Sequence, residues 1–169
     1  MACQGQKVRF FTDDGYFTGP ALSPEMIEHA EVKLGVRLPQ SYLDVLAERN
    51  GGAPERRCVR MDAPTSWAPD HVEIAAIRGI GGRWGIDSSG GLGSADLISE
   101  WGYPDIGIVI CEMPSGGHDA VMLDYSSCGP KGEPAVVYIE EDRSVRLIAR
   151  TFAEFIDKLE PCSHYKRGE

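Results

Sequence analysis

Between Leu38 and Gly52 apolar residues recur at helical spacing. Tyr42, Leu43, Val45 and Leu46 make one face, and Asp44, Glu48 and Arg49 make the other. Pro39 suits the first helical position, and Asn50-Gly51 supplies the left-handed geometry that closes a helix. A second amphipathic run precedes it over residues 23–34. Ser23 is its N-cap, Pro24 its first residue, and Ile27, Ala30 and Leu34 its apolar stripe with Met26 beside them. Gly35 to Leu38 leaves room only for a tight corner. The pattern therefore predicts an αα-hairpin whose two stripes share one core.

The pattern changes after Gly52. Cys58–Met61 and Val72–Ile77 read as strands, separated by a loop with Pro64 and Pro69. Residues 79–93 hold seven glycines and read as loop. Ser94 is placed to cap a short helix through Leu97, Ile98 and Trp101, stopped by Gly102 and Pro104. The apolar run Gly107–Cys111 predicts a central strand covered on both faces. Asp119–Tyr125 follows, with Val121 and Leu123 on one face. Ala135–Ile139 and Val145–Ile148 then predict a hairpin turned by Glu140-Glu141-Asp142-Arg143-Ser144. A final helix begins at Thr151, where Thr151 and Glu154 form a capping box and Phe152, Phe155, Ile156 and Leu159 the buried stripe. Helices first, clustered strands next and one helix last predict an α+β fold. In it the helical hairpin and the C-terminal helix pack on a mainly antiparallel sheet.

Two ends stand apart. Val8–Phe11 and Tyr16-Phe17 flank Asp13-Asp14-Gly15 and suggest a small accessory hairpin or extension over residues 1–21. Residues 161–169 read as a loose tail.

Length and charge narrow the function. A chain of 169 residues predicts one domain. A formal net charge of −9 disfavours nucleic acid and favours a basic partner, although acidity also serves solubility alone. No apolar run spans a membrane, and the N-terminus has no secretory pattern, so cytoplasmic residence is expected. The five cysteines lack C-x-x-C spacing and are expected to be free thiols, with Cys111 a small core residue.

Chemical motifs are sparse. Gly79–Gly85 departs from the dinucleotide fingerprint, no G-x-S-x-G occurs, and the four histidines are dispersed. No catalytic, cofactor or metal residue is assigned. Gly116-Gly117-His118-Asp119 reads either as a hairpin turn or as a carboxylate–imidazole pair. Trp67 and Trp84, in loops, read either as interface anchors or as packing over a core edge. The partner-binding candidates are Trp67, Trp84, Asp119, Glu140, Glu141 and Asp142.

One order of motifs carries a resemblance. A helix ending Leu34-Gly35, then Leu38-Pro39, a helix with Tyr42 and Asn50-Gly51-Gly52 resembles the opening of the SUKH immunity-protein superfamily. The branch is the Smi/Knr type, named after a fungal cell-wall-assembly regulator. The resemblance continues through Gly116–Asp119 with Leu123-Asp124, Val136–Asp142 and Phe152–Phe155, and covers roughly residues 22–160. It implies a non-catalytic, cofactor-free protein, a monomer or weak homodimer, that neutralises a basic toxin domain by occluding it. A regulatory scaffold of the same fold is the alternative.

Overall fold

The computed structural model describes residues 9–12 and 14–165. Two helices open it, α1 (Pro24–Leu34) and α2 (Gln40–Glu48). Five short strands and the third helix follow: β1 (Cys58–Arg60), β2 (His71–Glu73), β3 (Ala76–Ile77), α3 (Ser94–Trp101), β4 (Gly107–Val109) and β5 (Cys111–Glu112). The longer strands β6 (Ala120–Asp124), β7 (Ala135–Ile139) and β8 (Val145–Ala149) lead to α4 (Phe152–Lys158) and a final 3₁₀ turn, Cys162–Tyr165. Strand pairing is antiparallel throughout. The sheets are β1-β2, β3-β5 and the four-stranded β4-β6-β7-β8. This is the expected α+β fold.

The four-stranded sheet divides the core in two. On one face Val121, Leu123, Val136, Tyr138 and Ile148 meet Tyr42 and Leu46 of α2 and Phe152 and Phe155 of α4. Tyr42 and Phe152 pack edge to face at 5.3 Å. On the other face Ala120, Met122, Val137 and Ile139 are covered by Leu97, Ile98 and Trp101 of α3. Alternate residues of β6 and β7 thus serve opposite cores, as a period of two requires.

Several boundaries differ from the pattern. Pro39 is the N-cap of α2 rather than its first residue, and Arg49 is its C-cap. Asn50 is released for another task. Its Nδ2 donates to the carbonyls of Pro20 and Ile80, both at 2.7 Å, and its Oδ1 accepts from Ile80 N at 2.8 Å. The loop after β3 is thereby clamped to the end of α2. Gly79 is required there, because a Cβ would lie 2.4 Å from Asn50 Oδ1. The glycine-rich stretch is indeed without helix or strand, but Ile80 and Ile86 are fully buried, so it is packed rather than loose. The same loop leads from Arg78, whose buried Nε lies 3.1 Å from Glu112 Oε1 on β5. Burial lowers the guanidinium's affinity for its proton, and Glu112 opposes that shift.

The run Val72–Ile77 is two strands in two sheets, split at Ile74 and Ala75. Gly107–Cys111 is likewise divided at Ile110. The chain leaves the large sheet there, so β4 ends that sheet instead of lying at its centre. Both its faces are covered nonetheless, because Ile108 and Val109 belong to opposite cores. Ser94 does not cap α3, whose N-cap is Gly93. Its Oγ instead accepts from Val109 N at 2.8 Å, fixing the helix to β4. The Thr151 cap forms as expected, with Oγ1 accepting from Glu154 N at 3.1 Å.

The turn of the proposed N-terminal hairpin includes Asp13, and its first arm Val8, both outside the described residues. Phe11, which is described and buried, pairs with Pro54 beyond α2. At the other end Cys162 is bonded to Cys58 across 104 residues, so these two thiols are not free. Glu160 exchanges two backbone hydrogen bonds with Cys58, and Tyr165 stacks on His71 at 4.1 Å. Through Tyr165 the segment is therefore fixed, not loose. Its apparent looseness in sequence reflects partners that lie about a hundred residues away. Cys111 is buried as expected, and burial pushes its thiol well above the usual range.

Candidate partner-binding site

The turn between β7 and β8 is built by its own polar side chains. Asp142 Oδ1 accepts from Ser144 N at 2.9 Å and from Ser144 Oγ at 2.6 Å. These two bonds favour the ionised carboxylate and hold it below its ordinary range. Arg143 takes the left-handed conformation, φ 72°, uncommon outside glycine. Its side chain spans the gap to α3, with Nε donating to Trp101 O at 3.1 Å and Nη1 to His118 O at 2.7 Å.

The loop between β1 and β2 is fastened to this turn. Glu140 Oε2 accepts from Ser66 N at 2.7 Å and from Ser66 Oγ at 2.5 Å. Ser66 Oγ in turn accepts from Glu141 N at 2.8 Å. Glu140 Oε1 accepts from Arg146 Nη1 at 2.9 Å, and the same Nη1 donates to Pro64 O at 2.6 Å. Burial disfavours the Glu140 carboxylate. The Ser66 hydroxyl and N–H and the Arg146 guanidinium outweigh that cost and hold its pKa below the usual range. Loop and turn enclose a shallow depression lined by Pro64, Ser66, Glu140, Glu141, Asp142 and Arg146.

The three adjacent carboxylates therefore differ. Glu140 is 8% exposed and belongs to the scaffold, so it is not free to meet a partner. Glu141 and Asp142 face solvent. Trp67 lies on the fastened loop and is 38% exposed. Its N–H donates to Thr65 Oγ1 at 3.2 Å, part of an internal loop network that also holds Ala68 N and His71 O. The structure thus brings Trp67, Glu141 and Asp142 to one end of the sheet.

It does not bring the other candidates there. Trp84 packs against Tyr16 and Phe17, at 5.5 and 5.1 Å between ring centroids, under the Arg83 guanidinium. Those residues neighbour the glycine-rich loop, not the β7–β8 turn. Asp119 is 3% exposed and cannot present a charge to a partner. Its carboxylate accepts from Ser115 Oγ at 2.5 Å and from the buried Tyr138 hydroxyl. His118 turns the other way, edge-on to Trp101 at 6.1 Å. The two neighbours do not form a carboxylate–imidazole pair. The segment is a turn, and Gly117 is needed in it. Its φ is 118°, and a Cβ would come within 2.9 Å of the Trp101 ring.

Ser66, Arg143 and Arg146, the residues that organise this end, escape a sequence reading. Together their bonds join positions 3 to 83 residues apart, and only the cluster of turn-forming polar residues at 140–144 hints at them. No helix among the described residues is long and apolar enough to cross a membrane. No curated protein and no solved structure matches the chain. A family model does, and by its match over residues 21–158 the chain belongs to the SMI1 / KNR4 family (SUKH-1).

Proposed function

We propose that this chain is an immunity protein, binding a basic toxin domain and covering its active surface. Nuclease domains fit best, since their substrate is a polyanion and their active surface is cationic. In this reading the chain acts by binding, and none of its residues performs chemistry. The observation that carries it is the juxtaposition of two exposed carboxylates, Glu141 and Asp142, with the half-exposed Trp67 on a loop fastened to the same turn. Charges at the rim of such a face steer encounter, and a large aromatic at its centre resists dissociation. A fixed frame lowers the ordering cost of binding. The net charge of −9 extends the attraction beyond the contact itself.

Co-purification with the product of the adjacent gene tests the partner, and kinetics test the face. Glu141→Lys with Asp142→Lys should slow association at low salt and flatten its salt dependence. Trp67→Ala should speed dissociation, at a cost of about 2 kcal/mol or more. Association as fast as the parent's at low salt would place the steering face elsewhere. Capture of a cellular enzyme, with no toxin bound, would replace immunity by the regulatory role.

A further inference from the structure

The bond between Cys58 and Cys162 has a third neighbour of similar chemistry. Glu73 lies directly across from Cys58 in the β1–β2 register, so the two side chains leave the same face of that ribbon. Cys162 arrives above them from the terminal 3₁₀ turn. The sulfurs of Cys58 and Cys162 and a carboxylate oxygen of Glu73 all lie within 4.8 Å of one another. We propose that under reducing conditions these three residues form a Zn²⁺ site, so that disulfide and metal centre are alternative states of one cysteine pair.

Four observations support it. Contacts other than the disulfide hold the ligands together. Cys58 N donates to Glu160 O at 3.1 Å and Glu160 N to Cys58 O at 2.8 Å, which holds Cys162 two residues from a fixed point. The stack of Tyr165 on His71, and the Arg60 guanidinium 5.1 Å from the Tyr165 ring centre, hold the far side of the turn. The required spacing is close. Zn–S bonds of about 2.3 Å and a Zn–O bond of about 2.0–2.2 Å place tetrahedral ligand atoms roughly 3.5–3.8 Å apart, within reach of side-chain rotation. Burial is graded as a three-ligand site needs. Cys58 is fully buried, whereas Cys162 and Glu73 are half-buried, which leaves the fourth position to water. Two thiolates with one carboxylate also select zinc over the hard cations calcium and magnesium, which prefer all-oxygen shells.

The chemistry balances with a dithiol reductant. The dithiol gives two electrons and two protons to the Cys58–Cys162 bond and becomes a disulfide itself. Zn²⁺ then displaces both thiol protons to solvent and takes the Glu73 oxygen as its third protein ligand. The terminal segment is thus held on β1 in either redox state.

The test uses the full chain, reduced anaerobically with a phosphine that is then removed. Co²⁺ is the spectroscopic probe, and Zn²⁺ affinity is measured against a chromophoric chelator. The reduced protein should bind one equivalent, with tetrahedral Co²⁺ bands and thiolate charge transfer of two-thiolate intensity. Cys162→Ser should weaken Zn²⁺ binding by more than about 100-fold, beyond the usual effect of outer-shell changes, and Glu73→Gln by at least about tenfold. The oxidised protein should bind neither metal here. Absence of thiolate charge transfer in the reduced parent, or equal Zn²⁺ affinity in the parent and Cys162→Ser, overturns the proposal. Should Cys162→Ser fail to fold, the cobalt spectrum of the parent and the Glu73→Gln affinity decide it.

Discussion

Replacing Glu140 by Gln removes the charge at the centre of the frame while keeping its shape. Glu140 accepts from Ser66 N, Ser66 Oγ and Arg146 Nη1, at 2.7, 2.5 and 2.9 Å. A carboxylate presents acceptors on both sides. An amide presents one oxygen and one NH₂, so whichever way it turns, a donor meets either Ser66 N–H or Arg146. If the oxygen stays on Ser66, the Arg146 bond is lost. A charge-assisted bond contributes about 1.5–3 kcal/mol, and the guanidinium keeps Pro64 O at 2.6 Å. The expected loss at pH 7 is about 2–3 kcal/mol. The pH dependence follows from the depressed pKa of Glu140. A carboxyl held lower in the folded state stabilises fully above its unfolded pKa, and that contribution vanishes as pH falls through the folded pKa. The gap between parent and Glu140→Gln should therefore be full at neutral pH and narrow below the ordinary carboxylate range. Urea midpoints at pH 7 and at acid pH measure it, with Glu141→Gln as an exposed control expected within about 0.5 kcal/mol of the parent. A gap under about 0.5 kcal/mol at pH 7, or one that widens in acid, would refute the assigned role.

Phe152→Ala and Phe155→Ala should each destabilise by about 3–5 kcal/mol, because both rings are fully buried, while Thr151→Ala should cost only about 1 kcal/mol through the lost cap. Equal denaturant midpoints for all three would contradict that division. Asn50→Ala should cost about 2–4 kcal/mol by stranding Pro20 O, Ile80 O and Ile80 N. Hydrogen exchange at Ile80 N should accelerate in that variant, and unchanged protection would show that the clamp is not what holds the loop.

What could be read beforehand was local. Periodicity placed α1, α2 and α4 within a residue or two, it placed β6, β7 and β8, and it put Val121 and Leu123 of β6 on one face. All of these are runs whose burial follows from their own spacing. The misreadings share a different cause. Val72–Ile77 and Gly107–Cys111 look continuous because every residue in each is compatible with a strand. They are broken because the chain changes sheets at Ala75 and at Ile110, where hydrogen bonds run to Glu112 and Val121. Apolarity records that a segment is covered on both sides. It does not record which strand lies beside it, so a buried end strand and a central strand look the same.

The candidate site shows the same limit at the level of charge. Glu140, Glu141 and Asp142 are indistinguishable as letters, and their fates are decided by residues far along the chain. Ser66 and Arg146 draw Glu140 inward, while Glu141 sits exposed on the turn itself. Asp119 was drawn inward by Tyr138, 19 residues away on the neighbouring strand. A carboxylate's role thus follows from whether a donor on another element reaches it, because an ionised group is tolerated below the surface only when paired. Where such a donor exists the charge becomes scaffold, as at Glu140 and Asp119. Where none of the described residues supplies one, as at Glu141, the charge stays in solvent. An acidic run therefore marks a place where a partner surface can arise, and the long-range donors around it select the residues that form that surface.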